Sequence, residues 1–415
     1  MNKIFDLTQK EFARQRDTLN LIGSENYPSP KVLELLGSVW QNRYSEGYPG
    51  KRYYAGQIYT DELETYVQQK ALEVFDRTDE YGVNVQLLSG SPANAMVYMA
   101  ALQPGDTIMS IKLSNGGHLS HLHDTSAYKK FFNHVTYDVK ESAPNLFEID
   151  VEDFKAQLSA HKPQLTIIGF SAYPRAYQFA ELCRAAHEAG SLVLADIAHI
   201  NGLVAAGLHD TPFQAGSDGA DYVSMTTHKT MRGPRAAMVF AKKDRMDNFN
   251  KTVFPGTSGG PHMHAIAAIG QALLEILGEE EYPDGVDFRT YSQNIIDNAQ
   301  ALEQGLADGG LEVISPTQTH LCLVKVPDEV DSLVAQHKLE ELGIILNRNV
   351  IFNDPKSAWR PSGLRLGTAA LTSRGLNTEQ ARQLGGLIAS SVLGQKVAAT
   401  AVSELTTQLN WYYQS

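Results

Sequence analysis

Short apolar segments that alternate with helical segments constrain the fold of this chain more than any other feature of its sequence. Seven segments have the length and apolar character of buried strands: 83–88, 107–111, 135–139, 165–170, 192–196, 222–225 and 237–240. Segments typical of helices lie between them, for example 61–75, 93–102 and 179–189. This alternation predicts an α/β fold with a mostly parallel seven-stranded sheet that has helices on both faces. In such sheets, ligands bind at the carboxyl ends of the strands.

The pattern changes twice along the chain and predicts three parts. Residues 1–55 combine an amphipathic helix, at about 8–18, with an irregular arm, a loop whose tyrosine- and glycine-rich stretch begins at residue 44. Because four tyrosines are too many for a disordered linker, we expect the arm to pack into a site or an interface. Residues 56–278 contain the predicted sheet. An acidic turn then leads into a smaller α+β domain at 279–415.

Composition excludes several classes of protein. The chain has 415 residues, of which 43% are hydrophobic and 20% charged, so it has enough apolar material for a large core. Its net charge of -12 argues against general nucleic-acid binding, because phosphates would be repelled. The two cysteines are far apart and suit a reducing compartment. No apolar stretch reaches the ~18 residues of a membrane-spanning helix, and we expect a cytoplasmic protein.

Two predicted strand ends carry the charged groups that first suggest chemistry. Asp196 ends one apolar run, and Lys229 follows the next, among hydroxyls, an imidazole, Arg232 and Arg235. An isolated lysine is usually a solvated surface residue. A primary amine among cations loses its proton more easily, however, and a carboxylate on a neighbouring strand end completes a known pairing. In pyridoxal phosphate enzymes the lysine forms an aldimine with the cofactor, and the aspartate keeps the pyridinium nitrogen protonated.

Three further motifs fit the same site. The turn Ser89–Ser91 lies between a predicted strand and a predicted helix, where it can hold a phosphate or serve as an ordinary helix cap. His118 can stack on a heteroaromatic ring or cap a turn. Arg365 lies among apolar residues and needs an anion, either an internal carboxylate or, as we favour, the carboxylate of an amino-acid substrate. His121 and His123 lack the partners of a metal site, so no metal is predicted.

The motifs together resemble those of the serine hydroxymethyltransferase family, whose members use pyridoxal 5'-phosphate and have the aspartate aminotransferase-like fold type I. The resemblance extends from residue 21 to residue 375. It rests on Glu46-Gly-Tyr-Pro-Gly-Lys-Arg-Tyr-Tyr54, Gly116-Gly-His-Leu119, Thr226-Thr-His-Lys-Thr230 with Gly233-Pro-Arg235, and Asn353-Asp-Pro-Lys356.

The resemblance implies a reaction and an assembly. The reaction is the reversible transfer of the serine hydroxymethyl group to tetrahydrofolate, which gives glycine and 5,10-methylenetetrahydrofolate. This places the chain in one-carbon metabolism and glycine biosynthesis. The implied assembly is a homodimer, which can pair into a tetramer.

The resemblance also assigns roles to individual residues. The implied catalytic residues are Lys229, Glu46, Asp196, His118, Tyr54 and Thr226. The implied cofactor-binding residues are Ser89, Gly90, Ser91, His118, Ser171, Asp196, His199, His228 and Lys229, joined by Tyr44 and Gly260 from a neighbouring subunit. The implied substrate-binding residues are Ser24, Glu46, Tyr54 and Arg365. The implied folate-binding residues are Tyr53, Leu113, Gly117, Leu119 and Asn349.

The chain departs from the family pattern at Leu88, Pro92, Asn201, Ser258 and the pair Ala236-Ala237. These changes affect the phosphate loop and the surroundings of the folate more than the core chemistry. Three alternatives therefore stay open: a folate-independent aldolase acting on 3-hydroxy amino acids, a transferase for an α-methyl amino acid, and a catalytically silent oligomeric or RNA-binding relative.

Overall fold

The computed structural model describes residues 2–76, 78–357 and 359–414. The helices are α1 Lys3–Arg16, α2 Pro30–Leu36, α3 Ile58–Phe75, α4 Gly90–Ala101, α5 Val151–His161, α6 Phe179–Glu188, α7 Asn201–Ala205, α8 Lys243–Lys251, α9 Met263–Leu277, α10 Phe288–Asp308, α11 Ser332–Glu341, α12 Ala369–Thr372, α13 Thr378–Val392 and α14 Ala399–Thr407. The strands are β1 Leu19–Asn20, β2 Gly47–Tyr48, β3 Lys51–Arg52, β4 Tyr81–Leu87, β5 Thr107–Ile111, β6 Asn133–Tyr137, β7 Val139–Ala143, β8 Leu146–Ile149, β9 Leu165–Gly169, β10 Leu192–Asp196, β11 Tyr222–Thr226, β12 Ala237–Lys242, β13 Glu312–Val313, β14 Leu321–Lys325, β15 Ile344–Ile345, β16 Asn347–Asn349 and β17 Gly363–Gly367.

The predicted seven-stranded sheet is confirmed, with the strand order β4-β12-β11-β10-β9-β5-β6. β12 is antiparallel to both of its neighbours, whereas the pairs from β11 to β6 are all parallel. Asp196 ends the central strand β10, opposite Gly169 of β9. A Cβ at Gly169 would lie 2.3 Å from the carbonyl oxygen of Asp196, so only glycine lets the two strands end side by side here. Asp196 therefore lies at the middle of the edge formed by the carboxyl ends of the parallel strands.

Alternate residues of the strands fill two apolar layers, one on each face of the sheet. Val193 and Ala195 of β10 belong to one layer, and Leu194 between them belongs to the other. This alternation follows from the two-residue period of a strand. Each fully buried large apolar side chain contributes roughly 1.5–3 kcal/mol to stability. On the first face, α3 packs closely on α9, because Gly270 leaves room for Val67.

A second, antiparallel sheet has the order β13-β14-β17-β16 and shares an apolar core with α10, α11 and α13. Its strand β17 carries Arg365, which lies opposite Leu323 of β14. Strands and helices thus mix in the C-terminal part, as the sequence predicts. The boundaries at residues 55 and 278 stay a prediction.

Two local features differ from the sequence-based prediction. Helix α1 begins at Lys3, earlier than expected, because the side chain of Asn2 accepts hydrogen bonds from the N–H groups of Ile4 and Phe5, each at 3.1 Å. The arm, predicted as a loop, contains the short hairpin β2–β3. A buried cation holds this hairpin: Nη1 of Arg52 donates to the carbonyl oxygens on both sides of Glu46, each at 2.8 Å.

Among the helices of the described ranges, none is both long and apolar enough to cross a membrane.

Candidate active site

A cavity of about 350 Å³ opens at the carboxyl ends of β10 and β11. Its size suits a small organic ligand. The lining residues are Ser24, Ser89, Gly90, Ser91, His118, Ser120, His121, Phe170, Ser171, Asp196, Ala198, His199, Thr226, His228, Lys229, Arg235 and Arg365. In the part of the chain that the structure describes, no three His, Cys, Asp or Glu side chains form a group that can hold a metal ion.

Asp196 lines the cavity and is held in its charged form. Burial by itself would raise the pKa of this carboxyl, but hydrogen bonding from His121 and the nearby imidazoles bring the pKa well below its ordinary value. Nε2 of His121 lies 2.9 Å from Oδ2 of Asp196, and the amide of Asn94 donates to the same oxygen at 2.8 Å. The sequence predicts neither partner: His121 suggests at most a metal ligand, and Asn94 gives no signal beyond its place in a helix.

Lys229 is 7% exposed and supplies the only described amine in the cavity lining. Burial lowers the pKa of the amine to about 8, the charge of Asp196 opposes this shift, and Arg365 and Arg235 add to it. The sequence predicts this lowered pKa from the neighbouring cations. In the structure burial is the larger cause, and the cation Arg232 has no part in it.

Arg232 instead stabilises the loop after β11, which carries Lys229, by contacts with another part of the fold. Its guanidinium lies over the rings of Tyr282 and Tyr291, 3.6 and 3.9 Å from their centroids, and none of its nitrogens has a hydrogen-bond partner among the described residues. Cation–π attraction replaces those hydrogen bonds. The amide of Asn26 donates to the carbonyl of Lys229 and to the hydroxyl of Tyr291, both at 2.7 Å. Helix α10, which carries Tyr291, therefore fixes the loop that carries the reactive amine.

The lowered pKa of Lys229 predicts the pH dependence of its reactivity. An amine reacts with an aldehyde in its neutral form, so the rate of reaction with pyridoxal phosphate should fall about tenfold per unit below pH 8 and level off above it. At pH 8, such an amine is neutral more than about a hundred times as often as an exposed lysine. The measurement is the initial rate of visible absorbance gain from pH 6.5 to 9.5, with Lys229→Ala as the blank. A rate that still rises tenfold per unit above pH 9 contradicts the prediction.

One end of the cavity is suited to an anion. The N-terminus of α4 opens onto it beside the hydroxyls of Ser89 and Ser91, and Ser89 makes no side-chain cap to its own helix. Ser89 is therefore not the ordinary side-chain cap that the sequence also allowed. Nδ1 of His228, which also lines the cavity, is buried without a described partner. Arg235 adds a positive charge. Together these groups offer several donors and few acceptors.

His118 lines the cavity as a neutral ring. Burial and the neighbouring His121 lower the pKa of His118 to about 4. Its Nδ1 lies 2.7 Å from the hydroxyl of Ser120, which fixes the ring in place. A neutral, oriented imidazole can stack on a flat heteroaromatic ring, as the sequence analysis expected.

Arg365 reaches the cavity from β17. Its Nε donates to Oδ1 of Asn347 at 3.1 Å, and its Nη1 donates to the carbonyl oxygen of Ser171 at 2.8 Å. In residues 2–76, 78–357 and 359–414, no carboxylate lies within 4.0 Å of this guanidinium. Burial lowers the pKa of Arg365 to about 10, and the group remains charged near neutrality. The internal ion pair considered from the sequence is absent from these residues, which leaves the guanidinium able to take an external anion.

The residues of the arm lie apart from this cavity. Tyr44, Glu46 and Tyr54 form a second group beside Gly259 and Gly260: Tyr44 and Tyr54 meet edge to face at 5.3 Å, and a Cβ at Gly260 would lie 3.2 Å from the ring of Tyr44. These tyrosines are exposed, at 58% and 48%. The structure therefore does not bring the arm group to the cavity of its own chain.

The five residues assigned to folate are also outside the cavity lining. Tyr53 is exposed and packs edge-on against Phe254, 5.6 Å between centroids. Leu113 lines a separate space of about 380 Å³. Gly117 is buried, with no room for a Cβ beside the carbonyl oxygen of Ile111. Leu119 is exposed, and Asn349 ends β16. Their roles stay predictions.

A comparison with protein families agrees with this geometry. The family model described as serine hydroxymethyltransferase matches residues 1–388 of the 415. The match spans the sheet that carries Asp196, the loop that carries Lys229 and the strand that carries Arg365. By this match, over nearly its whole length, the chain belongs to the serine hydroxymethyltransferase family, whose members are pyridoxal phosphate-dependent enzymes of fold type I.

Proposed function

We propose that this protein transfers the hydroxymethyl group of serine to tetrahydrofolate and releases glycine and 5,10-methylenetetrahydrofolate, with pyridoxal 5'-phosphate as its cofactor. One observation carries the proposal: a buried amine with a lowered pKa, a charged carboxylate and a guanidinium without a described carboxylate partner line one cavity. These are Lys229, Asp196 and Arg365. Family membership supports hydroxymethyl transfer in general.

The residues present fit the proposed cofactor. Ser89, Ser91 and the N-terminus of α4 offer hydroxyl and N–H donors to its phosphate, and Nδ1 of His228, another lining residue, has no described partner. Asp196 offers a charged carboxylate to a protonated ring nitrogen. His118 offers a neutral ring for stacking. When bound, the cofactor supplies an electron sink for the charge left at Cα of the substrate when its bond to Cβ breaks.

Each charged residue then has a task that its surroundings support. Arg365 binds the carboxylate of the amino acid through its planar fork and so orients the bond to be broken. Lys229 holds the cofactor and, with a pKa of about 8, takes up or gives back a proton at its Nζ near neutral pH. Asp196 stays charged throughout, because its hydrogen bonds to His121 and Asn94 stabilise the carboxylate.

The arm group belongs, in this proposal, to the site of a second copy of the chain. Its exposed tyrosines and the carboxylate of Glu46 lie outside the cavity of their own chain, which leaves them free to reach a neighbour. Arg52 supports this role, because it holds the backbone on both sides of Glu46 and thereby presents that side chain. Glu46 then serves proton transfer between the serine hydroxyl and folate.

A mixture of two inactive variants tests this arrangement. Co-expressed Lys229→Ala and Glu46→Gln chains should regain activity, because each heterodimer has one site that receives neither change. Random pairing makes heterodimers about half of the total, so about a quarter of the wild-type activity is expected. The matched control mixes Lys229→Ala with Asp196→Asn, which both change the cavity, and it should regain nothing. If both mixtures are equally inactive, the arm does not act on a neighbour.

The reaction itself is tested with serine labelled at Cβ. The proposal predicts that label enters 5,10-methylenetetrahydrofolate and that glycine forms only slowly without folate. The aldolase alternative predicts release of free labelled formaldehyde at the same rate with and without folate, and that result would replace the proposed function.

A further inference from the structure

The imidazole of His320 is not part of the cavity lining, but it contacts His199, which is. His320 is fully buried and directly precedes β14, next to the sheet that carries Arg365. Neither the sequence motifs nor the roles implied by the family include it. Its Nε2 lies 3.3 Å from Nδ1 of His199 and 3.2 Å from the carbonyl oxygen of Gly23.

The two rings meet edge to edge. Their centroids are 5.5 Å apart and their planes differ by only 25°. With a nitrogen–nitrogen distance of 3.3 Å, this geometry places the facing nitrogens of His199 and His320 between the two centroids, in nearly one plane. Such an approach suits a hydrogen bond between ring nitrogens and does not suit face-to-face stacking.

Both rings are neutral, so each carries one proton. Burial lowers the pKa of His199 well below its ordinary value and that of His320 to about 3, and the charges of Lys229 and Arg365 add to both shifts. The carbonyl oxygen of Gly23 can only accept. A proton on Nε2 of His320 therefore serves both Gly23 and Nδ1 of His199, whereas a proton on Nδ1 of His320 would have no partner among the described residues.

This placement determines the state of His199. Because its Nδ1 accepts from His320, its single proton is on Nε2, the nitrogen on the far side of the ring. His199 lines the cavity, so this N–H is available to an oxygen of a bound ligand. The second ring nitrogen of a histidine commonly fixes which nitrogen donates.

We propose that His320 is a positioning residue that holds His199 as the Nε2–H tautomer, so that His199 donates a hydrogen bond to an oxygen of the ring-bearing ligand in the cavity. The functional part of this inference rests on the proposed use of pyridoxal phosphate. The tautomer itself does not, since it follows from contacts within the chain.

The tautomer is measured on the protein without cofactor, by ¹⁵N NMR of histidine-labelled chains. The signals of His199 are those lost in His199→Asn. A bare Nδ1 and a protonated Nε2 are expected in the wild type and in His320→Gln, whose amide can still donate to Gly23 and His199. His320→Leu has no donor and should give a mixture or the opposite tautomer. A proton on Nδ1 of His199 in the wild type overturns the proposal even if no variant folds.

Cofactor binding tests the consequence. His320→Leu should raise the pyridoxal phosphate concentration for half-maximal visible absorbance by about tenfold or more, as expected for loss of a hydrogen bond to a charged oxygen, and His320→Gln should stay within about twofold of the wild type. In the His199→Asn background, His320→Leu should add less than about twofold. Additive losses would mean that His320 acts through folding alone and would overturn the positioning role. If no variant or wild type binds the cofactor, the proposed function fails while the tautomer result stands.

Discussion

Replacing Lys229 by alanine is expected to abolish multiple turnover, with a loss of at least about 10³-fold in kcat. The residue supplies the only described amine in the cavity lining, and burial keeps that amine poised near neutrality. Groups that act directly on the reacting atoms contribute on the order of 10²–10⁴ in rate. Glycine formation from serine with tetrahydrofolate measures the loss, and the visible spectrum reports whether cofactor is retained.

The matched control for this change is Lys338→Ala. Lys338 lies exposed on α11 and does not line the cavity, and alanine suits a helix. It should keep the wild-type rate. Folding is checked by the thermal midpoint, which the Lys229 change should not lower, because it removes a buried group without a described hydrogen bond. Full activity in Lys229→Ala would contradict the assignment of the site.

Arg365→Met is expected to raise the KM for serine by roughly 10²–10⁴-fold. The guanidinium can give a substrate carboxylate two charge-assisted hydrogen bonds, each contributing about 1.5–3 kcal/mol. Arg365→Lys should restore only part of the binding, since an ammonium group lacks the planar fork. The control Arg184→Ala removes an exposed ion pair with Asp218 and should leave KM unchanged.

Arg365→Met is also expected to leave the stability of the ligand-free protein nearly unchanged. Removing a buried charge relieves its desolvation cost, which offsets the lost hydrogen bonds to Asn347 and Ser171. The free energy of unfolding should therefore change by no more than about 1 kcal/mol in either direction. Urea unfolding without serine or cofactor measures it. A loss of several kcal/mol with serine binding retained would mean that Arg365 serves the fold and not the substrate.

The sequence predicted the large sheet well because its strands are buried on both faces. A continuous apolar run such as Leu192–Asp196 stands out against its flanks, and both ends of β5 and β10 agree with the prediction. Asp196 and Lys229 could be expected at one edge, since parallel neighbours end together. Helix α1 and the β2–β3 hairpin were less well predicted, because a single cap and a single buried arginine decide them.

Contacts between residues far apart in sequence could not be predicted. Arg232, Arg235 and Arg365 look alike as cations near the site, but only the last two line the cavity. Arg232 turns away because its backbone has a φ of 48° and its guanidinium fits between Tyr282 and Tyr291, some fifty residues later. His121 and His320 likewise gained their significance from partners in other segments.

The proposed function is tested most directly by finding which amine holds the cofactor. The protein is incubated with pyridoxal phosphate, reduced with borohydride, digested and analysed by mass spectrometry. One pyridoxyl group per chain is expected, on Lys229, and it should be absent from Lys229→Ala. A label on another lysine, or none on a folded protein, would contradict it.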